Sequence, residues 1–599
     1  MFTSFFVRLL IFINFALYFK ELCYKTYFMS KFSKKFSFPI PFLFRCLKGY
    51  NAQQLTTDTM AGIIVGIVAI PLAIAFGIAS GVGPTEGLVT AIIAGFIISF
   101  LGGTKVQIGG PTGAFIVIIY GIIQQHGLIG LSIATIMAGI MLVLMGVLKL
   151  GNVIKFVPYP VIVGFTGGIA LTIFSTQMND MFGLGLTNIP ADFLHKWWYY
   201  FQNVDKVDWG SFAVGLISLL IIIFSPKVSS KVPGSLIAII VATLGVWALK
   251  EFNIWEGAKN IATIGDLYTL PEGMPMPSMP KLELAEGETI LGIVQSLFPA
   301  AFTIAILGAI ESLLSAMVAD GVIGGKHDSN MELIGQGVAN MVVPFFGGIP
   351  ATGAIARTMT NINNGGRSPI AGIIHAVVLL LVLLLLGSLV GLIPMPCLAA
   401  VLIMVSYNMS GWKTFVALAK NPKSDFAVLM TTFVLTVVFD LTIAIEIGLV
   451  LAIILFLKRT SEAVSIKVFK HEIDPTEETD LELHEDKLSI PEGTEVYEID
   501  GPYFFGIANK FDDVMKSIGE TAKVRIIRMR KVPFIDSTGI HNLEALCEQS
   551  AKEGIQIVLS GVNVNVRKTL HKAGFNKVLK EEFICSNINE ALKKAESLV

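Results

Sequence analysis

Two short and similar stretches decide the fold of this chain: Gly-Gly-Pro-Thr-Gly-Ala at residues 109–114 and Gly-Gly-Ile-Pro-Ala-Thr-Gly-Ala at residues 347–354. Each lies within apolar sequence, where glycine and proline predict that one helix stops and another starts. Inside a membrane, such irregular backbone survives only when protein surrounds it or when it lines a wet cavity. Paired breaks in the two halves of a membrane protein therefore point to a transport site.

The start of a helix favours anions, because its free N–H groups and the positive end of its dipole converge there. We therefore predict that an anion binds between two half-helices that face each other, one after each break. The alternative is that both breaks are packing kinks, since glycine and proline are common in membrane helices. The recurrence of the pattern about 240 residues further along the chain favours the transport site.

The composition indicates a membrane protein. Hydrophobic residues make up 53% of the 599 residues and charged residues only 15%, a balance that is typical of a chain with many membrane spans. The net charge of −1 gives no reason to expect a nucleic-acid partner, and the five cysteines lack the spacing of a zinc site or a disulfide framework. The sequence contains no nucleophile–base set, metal cluster or phosphate loop, so we predict neither an enzyme nor a cofactor other than a coupling ion.

Fourteen apolar segments are predicted to be α-helical membrane spans, in two sets of seven. Their approximate bounds are 58–79, 86–101, 111–125, 128–148, 158–178, 209–225 and 233–250, then 289–319, 330–346, 352–365, 369–388, 391–406, 424–440 and 443–458. The third and the tenth are shorter than the roughly 20 residues that a helix needs to cross the membrane core, so we predict that they are half-helices. Because seven is odd, the second set would be inverted relative to the first.

Positive charges predict how the chain is oriented in the membrane. Basic residues between positions 31 and 48 precede the first span, and Lys458 and Arg459 follow the last one. By the positive-inside rule, both ends of the membrane domain lie in the cytoplasm. We predict a multi-pass protein of the inner (plasma) membrane, which makes the lipid bilayer one of its partners. We assign residues 1–50 to a cytoplasmic or interfacial segment and residues 51–460 to the membrane domain.

The rest of the chain is charged and mixed in composition. We assign residues 461–492 to a linker and residues 493–599 to a separate domain. The predicted strands lie at 496–499, 503–507, 524–529 and 555–560, and the predicted helices at 509–518, 539–552 and 564–573. Strands that alternate with helices are typical of an α/β layer fold.

Several motifs in order resemble the sulfate permease (SulP) family of anion transporters. They are Ile-Pro-Leu-Ala-Ile-Ala-Phe-Gly at 70–77, Ala-Ile-Glu-Ser-Leu-Leu at 309–314 and the two breaks, followed by Phe-Ile-Asp-Ser-Thr-Gly at 534–539, which looks like the loop of a STAS domain. The resemblance implies two inverted seven-helix repeats, with a core domain of helices 1–4 and 8–11 that moves against a gate domain of helices 5–7 and 12–14. It also implies a homodimer and a cytoplasmic STAS domain.

Polar groups at the two breaks are the predicted anion ligands. Thr112 and Thr352 each place a hydroxyl at a helix start, where it could donate to an anion or cap the helix. The backbone N–H groups predicted to bind the anion are those of Gly113, Ala114, Gly353 and Ala354.

Two further assignments rest on the resemblance. The motif Pro-Thr-Gly at 111–113 is most similar to that of bacterial sodium-dependent bicarbonate transporters, which implies that Thr112 contacts bicarbonate. The resemblance also implies that Phe76 lines the anion pocket. The alternative for Phe76 is a packed or lipid-facing aromatic, because apolar aromatics are abundant in membrane spans.

Glu311 is the charge that most needs an explanation, because a carboxylate within the apolar run 300–317 is costly and by default functional. It could bind Na⁺ together with oxygens of Ser315 and of the second break, or it could take up a proton. It could also form an ion pair with Arg357, which by resemblance matches an arginine that helps to attract anions in animal relatives. Glutamate is longer than the aspartate of the bicarbonate transporters, so sodium and proton coupling both stay open.

Ser537 is a candidate regulatory residue. It stands at the start of a predicted helix, a location that suits an added or bound phosphate, and by resemblance it matches a serine that is phosphorylated in bacterial STAS domains. A simple helix cap is the alternative. A regulatory partner could bind the STAS domain.

Together these features predict a secondary active transporter of small inorganic oxyanions, bicarbonate or sulfate, coupled to Na⁺ or H⁺. The alternatives are a passive anion exchanger or channel, a dicarboxylate transporter, and a membrane-anchored sensor that signals through the STAS domain. The apolar spans favour a carrier with alternating access, because a channel needs a continuous polar path.

Overall fold

The computed structural model describes residues 40–47, 50–152, 158–186, 189–190, 192–228, 233–268, 275–278, 290–420, 422–439, 441–473, 488–506 and 522–599. The predicted helix at 509–518 lies outside the described residues, as does the segment 1–39. The chain divides into two compact units, Met1–Leu449 and Val450–Val599.

The fourteen predicted spans each correspond to a helix. The first seven are α1 Ala52–Ala79, α2 Pro84–Leu101, α3 and α4 within Ile116–Val147, α5 Tyr159–Thr176, α6 Trp209–Val228 and α7 Gly234–Glu251. The second seven are α8 Ile290–Ile323, α9 Ser329–Val342, α10 Ile355–Asn363, α11 Pro369–Val390, α12 Met395–Ser410, α13 Lys423–Val438 and α14 Leu441–Ala463.

Two of these helices are short, as predicted. Gly127, with φ 65° and ψ −170°, separates α3 from α4, so that α3 is a half-helix that starts with the 3-10 turn Gly113–Phe115. Helix α10 has nine residues and follows the second break. Among the described helices, seven are long and apolar enough to cross a membrane when judged by length and composition, with α3 and α4 taken together.

The helices pack in the two groups that the resemblance implies. Helix α4 packs on α9, α11 packs on α1 and α2, and α8 packs on the α3–α4 helix. In the other group, α5 packs on α12 and α13, and α6 packs on α7 and α12. At the crossing of α4 and α9 the backbones nearly touch, because a Cβ on Gly139 would lie 2.7 Å from the carbonyl oxygen of Gly337. Small residues permit such close packing between membrane helices.

The second unit has the predicted α/β layer fold. Its five-stranded sheet has the order β3 Ser465–Phe469, β6 Thr494–Asp500, β7 Val524–Lys531, β8 Gln556–Ser560 and β9 Ile584–Cys585. Strands β6 to β9 are parallel and β3 is antiparallel to β6. Helices α15 Ser537–Lys552, α16 Val564–Ala573 and α17 Ile588–Glu596 accompany the sheet.

Two predictions for this unit are wrong. The segment 461–492 is more than a linker, because it contains β3 and the small pair β4 Glu472–Ile473 and β5 Leu488–Ser489. The predicted strand at 503–507 is reduced to a single bridge between Tyr503 and Ile535 before the chain turns. Strand β3 is half exposed at the edge of the sheet, so its sequence lacks the apolar run of a buried strand.

Ser537 is the first residue of α15 and is exposed. The cap of this helix is its neighbour Asp536, whose carboxylate accepts a hydrogen bond of 2.7 Å from the Gly539 N–H. The alternative role of Ser537 as the helix cap is therefore wrong, and its role in regulation stays a prediction.

Candidate functional site

The two breaks meet in space. Residues Gly109–Gly110 form strand β1 and residues Thr352–Gly353 form strand β2, and these two strands pair antiparallel. The N–H of Ala354 extends the pairing with a 2.9 Å hydrogen bond to the carbonyl oxygen of Ile108. The pairing satisfies backbone groups that the broken helices leave free, as the interior of a membrane requires. The prediction that the breaks face each other is confirmed by this pairing.

Glycine allows the two breaks to approach so closely. Gly110 has φ 150°, which L side chains rarely adopt, and a Cβ there would collide with the guanidinium of Arg357. A Cβ on Gly353 would overlap the side chain of Gln107, whose Cγ would lie only 3.1 Å away.

The first break is bonded to α8 through a carboxylate. The Thr112 hydroxyl donates a 2.9 Å hydrogen bond to Oε2 of Glu311, and both side chains are half-buried. Thr112 makes no side-chain cap on the 3-10 turn that follows it. The capping alternative for Thr112 is therefore wrong, and the threonine instead connects the first break with the charge that we single out for coupling.

Arg357 approaches the same break from α10. Its side chain is only 2% exposed, and its guanidinium donates to the carbonyl oxygen of Pro111. Its other terminal nitrogen, Nη1, has no hydrogen-bond partner in the described part of the chain. No ion pair joins Arg357 to Glu311 among the described residues, where their partners are Pro111 and Thr112, so the alternative of a salt bridge between them is wrong. Opposite charges thus lie at one break without cancelling each other by contact.

The second break is held by a serine that the sequence analysis did not single out. Ser312 shares a 2.7 Å hydrogen bond with the Thr352 hydroxyl and accepts one of 3.2 Å from the Gly353 N–H. Thr352 can also donate to the Gly308 carbonyl oxygen at 3.1 Å. The N–H groups of Gly353 and Ala354, predicted to bind the anion, therefore have acceptors inside the protein.

Because the N–H groups of Gly353 and Ala354 already have acceptors, fewer of the predicted donors are left for an anion. Gly113 and Ala114 lie in the first turn after the first break, where N–H groups have no acceptor within their own helix. Together with Nη1 of Arg357, these two N–H groups are the donors that best keep the predicted role. The anion ligands are thus predicted at the first break, with the second break as its support.

The predicted sodium ligands do not converge. Ser315 is buried, and its hydroxyl donates to Thr358 at 3.3 Å instead of pointing to Glu311. Thr358 in turn accepts a 3.1 Å hydrogen bond from the Ile108 N–H, so Ser315 supports the strand pairing.

Phe76 is buried in the main apolar core of the membrane unit, together with Ala114 and Phe115. The lipid-facing alternative is therefore wrong. Phe76 and the start of α3 belong to one packed cluster, and contact of Phe76 with an anion stays a prediction.

Gly353→Ala is expected to lower the initial rate of anion uptake at least tenfold. The added methyl group requires space that Gln107 occupies, and overpacking of this kind typically costs about 1–3 kcal/mol. Gly245→Ala in α7 is the matched control, because a Cβ there meets nothing within 4 Å. Equal uptake rates for the two variants in the same vesicles would contradict the prediction.

Both parts of the chain match known protein families. Residues 55–432 match the sulfate permease family model, and residues 487–593 match the STAS domain. The chain is 43% identical to the Putative sulfate transporter YvdB of Bacillus subtilis, over 90% of this chain and 97% of that protein. It is 30% identical to the Bicarbonate transporter BicA of Synechocystis, over 84% of this chain and 87% of that protein.

Solved structures show the same fold. The murine Solute Carrier 26 family member A9 anion transporter in the inward-facing state superposes with a TM-score of 0.82, over 94% of this chain and 96% of that chain, at 19% identity. The transmembrane domain of a cyanobacterial BicA superposes with a TM-score of 0.55 at 29% identity, over 67% of this chain and 98% of that chain.

Proposed function

This chain belongs to the sulfate permease family, and we propose that it carries a small inorganic oxyanion, sulfate or bicarbonate, across the membrane together with a proton. An anion transporter of this family is a membrane protein and not an enzyme. To this family membership the proposal adds that the anion and a proton move in the same direction, and it names the residues that bind the anion and the proton.

The observation that carries the proposal is the arrangement of two opposite charges at the first break. Glu311 accepts a hydrogen bond from the Thr112 hydroxyl, and Arg357 donates one to the carbonyl oxygen of Pro111, which directly precedes Thr112 in the chain. An anion bound beside Arg357 adds negative charge where solvent is scarce, and charges interact strongly in such surroundings. A proton on Glu311 would offset that added charge, so anion and proton would favour each other's binding.

The bonding of the hydroxyl groups supports a proton over Na⁺. Na⁺ prefers several oxygen ligands around it, as hard cations do. The Ser315 and Thr352 hydroxyls, two ligands predicted for it, contact Thr358 and Gly308, and in the described residues neither is hydrogen-bonded to Glu311, so the predicted oxygens do not already surround the carboxylate. A proton needs only the carboxylate itself, and Glu311 has room for it because Thr112 is its one hydrogen-bond donor among the described residues.

The relatives support an oxyanion as the substrate. One is named as a sulfate transporter and another as a bicarbonate transporter, and this chain covers most of each. Both anions are compact and accept hydrogen bonds on several oxygens, as donors at a helix start require.

Burial of the site supports a carrier over a channel. Arg357 and Thr352 are both buried from solvent in this conformation, as expected of a closed central site. An alternating-access carrier needs only such a central site, whereas a channel needs a continuous path. We further propose that the protein acts as a homodimer in the inner (plasma) membrane, with both ends in the cytoplasm and no organic cofactor.

Uptake into proteoliposomes tests the proposal. Labelled sulfate is offered under three conditions: an inward proton gradient without Na⁺, an inward Na⁺ gradient at equal pH, and no gradient. Labelled bicarbonate is offered with the Na⁺ gradient and without any gradient. We expect sulfate uptake that requires the proton gradient and disappears with a protonophore. Bicarbonate uptake driven by Na⁺ would overturn proton coupling and make Glu311 a sodium ligand. Uptake that needs no gradient but depends on an anion inside would make the protein a passive exchanger.

A further inference from the structure

A second buried carboxylate, Glu332, lies in the first turn of α9 and away from the charges of the proposed site. Its side chain is fully buried. Oxygen Oε2 accepts from the Gly103 N–H at 2.9 Å and from the Thr104 hydroxyl at 2.7 Å. Oxygen Oε1 accepts from the side-chain amides of Gln107 at 3.0 Å and Gln336 at 2.8 Å. All four donors are uncharged, and together they saturate the carboxylate.

Three of the four donors belong to the connection that leads from α2 into the first break, residues 102–108. This connection lies directly on α9, because a Cβ on Gly335 would come within 3.0 Å of the Cα of Gly102. The Asp328 N–H also donates to the Gly103 carbonyl oxygen at 2.9 Å. Glu332 therefore fixes the backbone just before β1 to the start of α9.

Gln107 extends this arrangement to the second break. The amide nitrogen that donates to Glu332 also donates to the carbonyl oxygen of Ser312 at 3.2 Å. Ser312 is the residue that holds Thr352 and the Gly353 N–H. The side chain of Gln107 moreover fills the space next to Gly353. A continuous series of hydrogen bonds thus runs from Glu332 through Gln107 and Ser312 to β2.

We infer that Glu332 is a positioning residue for anion binding: it holds Gln107 so that the two breaks keep the spacing at which the anion donors converge. It touches neither the anion nor the coupling ion. Buried hydrogen bonds to a charged acceptor are among the strongest that a protein makes, so they are suited to fix such a spacing. The inference rests on the proposed anion site.

Glu332→Gln is the first test. The variant has nearly the same shape, but its amide group places a donor against two donors of the protein. Either Gly103 and Thr104 lose their acceptor, or Gln107 loses its partner unless its amide turns over, which gives up its hydrogen bond to Ser312. We expect a rise of about tenfold in the KM for sulfate uptake and in the dissociation constant of labelled sulfate for the detergent-solubilised full-length protein. The maximal rate should stay within about twofold of the wild type.

Asp58→Asn is the matched control, because Asp58 is another buried carboxylate with neutral donors. It accepts from the Tyr50 hydroxyl, from the Ser368 hydroxyl and from the Arg367 N–H, at the start of α1. Both variants should lower thermal stability, but only Glu332→Gln should raise the KM and the dissociation constant. If Glu332→Gln and Asp58→Asn bind sulfate equally well, Glu332 is a structural residue and the inference is overturned.

A double-mutant cycle with Gln107→Met decides whether Glu332 acts through Gln107. Gln107→Met alone should raise the dissociation constant by a similar factor, and the double variant should be no worse than Gln107→Met. Effects that multiply to about a hundredfold would mean two independent contributions and would overturn the inference. If the wild type binds sulfate but shows no proton-driven uptake, the proposed function is wrong. The dissociation constants of the variants still test the role of Glu332 in that case.

Discussion

With glutamine in place of Glu311, the protein is expected to exchange anions across a membrane but no longer to accumulate them. Glutamine keeps an oxygen that can accept from Thr112, yet it cannot take up or release a proton. If one proton accompanies each anion, a gradient of one pH unit is worth about 1.4 kcal/mol, or about tenfold in anion concentration at zero membrane potential. The wild type should reach this tenfold accumulation of sulfate, and Glu311→Gln should reach none.

Two assays in the same proteoliposomes separate coupling from folding. The first measures accumulation of labelled sulfate under a proton gradient with the membrane potential held at zero. The second measures exchange of labelled for unlabelled sulfate at equal pH, which needs an intact anion site but no net proton movement. Glu446→Gln on α14 is the control, because Glu446 is exposed and lines a cavity with Gln125 and His126. Proton-driven accumulation by Glu311→Gln would contradict the role of Glu311 as the coupling residue.

Local sequence was sufficient to locate the two breaks and the charges beside them. Each break combines several glycines with a proline, so the starts of α3 and α10 could be predicted without knowledge of the rest of the fold, whereas the single prolines Pro71 and Pro299 lie inside the continuous helices α1 and α8. Glu311 stood out because a charge within an apolar run is rare enough to indicate function, whereas Arg357 was assigned its role by the family resemblance. The resemblance added the division of the helices into core and gate domains, and it identified the STAS domain.

The partners of the break residues could not be predicted in this way. Whether the Gly353 N–H is free or bonded depends on the rotation of α8, which places Ser312 opposite the second break. The pairing of β1 with β2 joins residues far apart in the chain, and two-residue strands have no periodicity to read. Gln107 and Glu332 gave a signal only as polar residues within apolar surroundings. Their contact across the fold became visible once α9 and the connection 102–108 were placed together.

Arg357 is expected to contribute most to anion affinity. Its Nη1 is buried without a hydrogen-bond partner in the described residues, and a buried donor in this situation costs free energy until an acceptor arrives. An anion between Nη1 and the start of α3 would provide that acceptor. Loss of a buried, charge-assisted contact of this kind typically costs about 3 kcal/mol, which corresponds to somewhat more than a hundredfold in affinity.

Arg357→Gln should therefore raise the dissociation constant of sulfate at least a hundredfold, and Arg357→Lys about tenfold. Lysine retains the charge but loses the planar fork that can hold Pro111 and the anion at once. The loss should be larger for doubly charged sulfate than for bicarbonate, because the interaction with Arg357 scales with the charge of the anion. Arg367→Gln is the control, since that guanidinium donates to the carbonyl oxygens of Ile362 and Gly366. Equal losses for sulfate in Arg357→Gln and Arg367→Gln would show that Arg357 supports the fold and does not bind the anion.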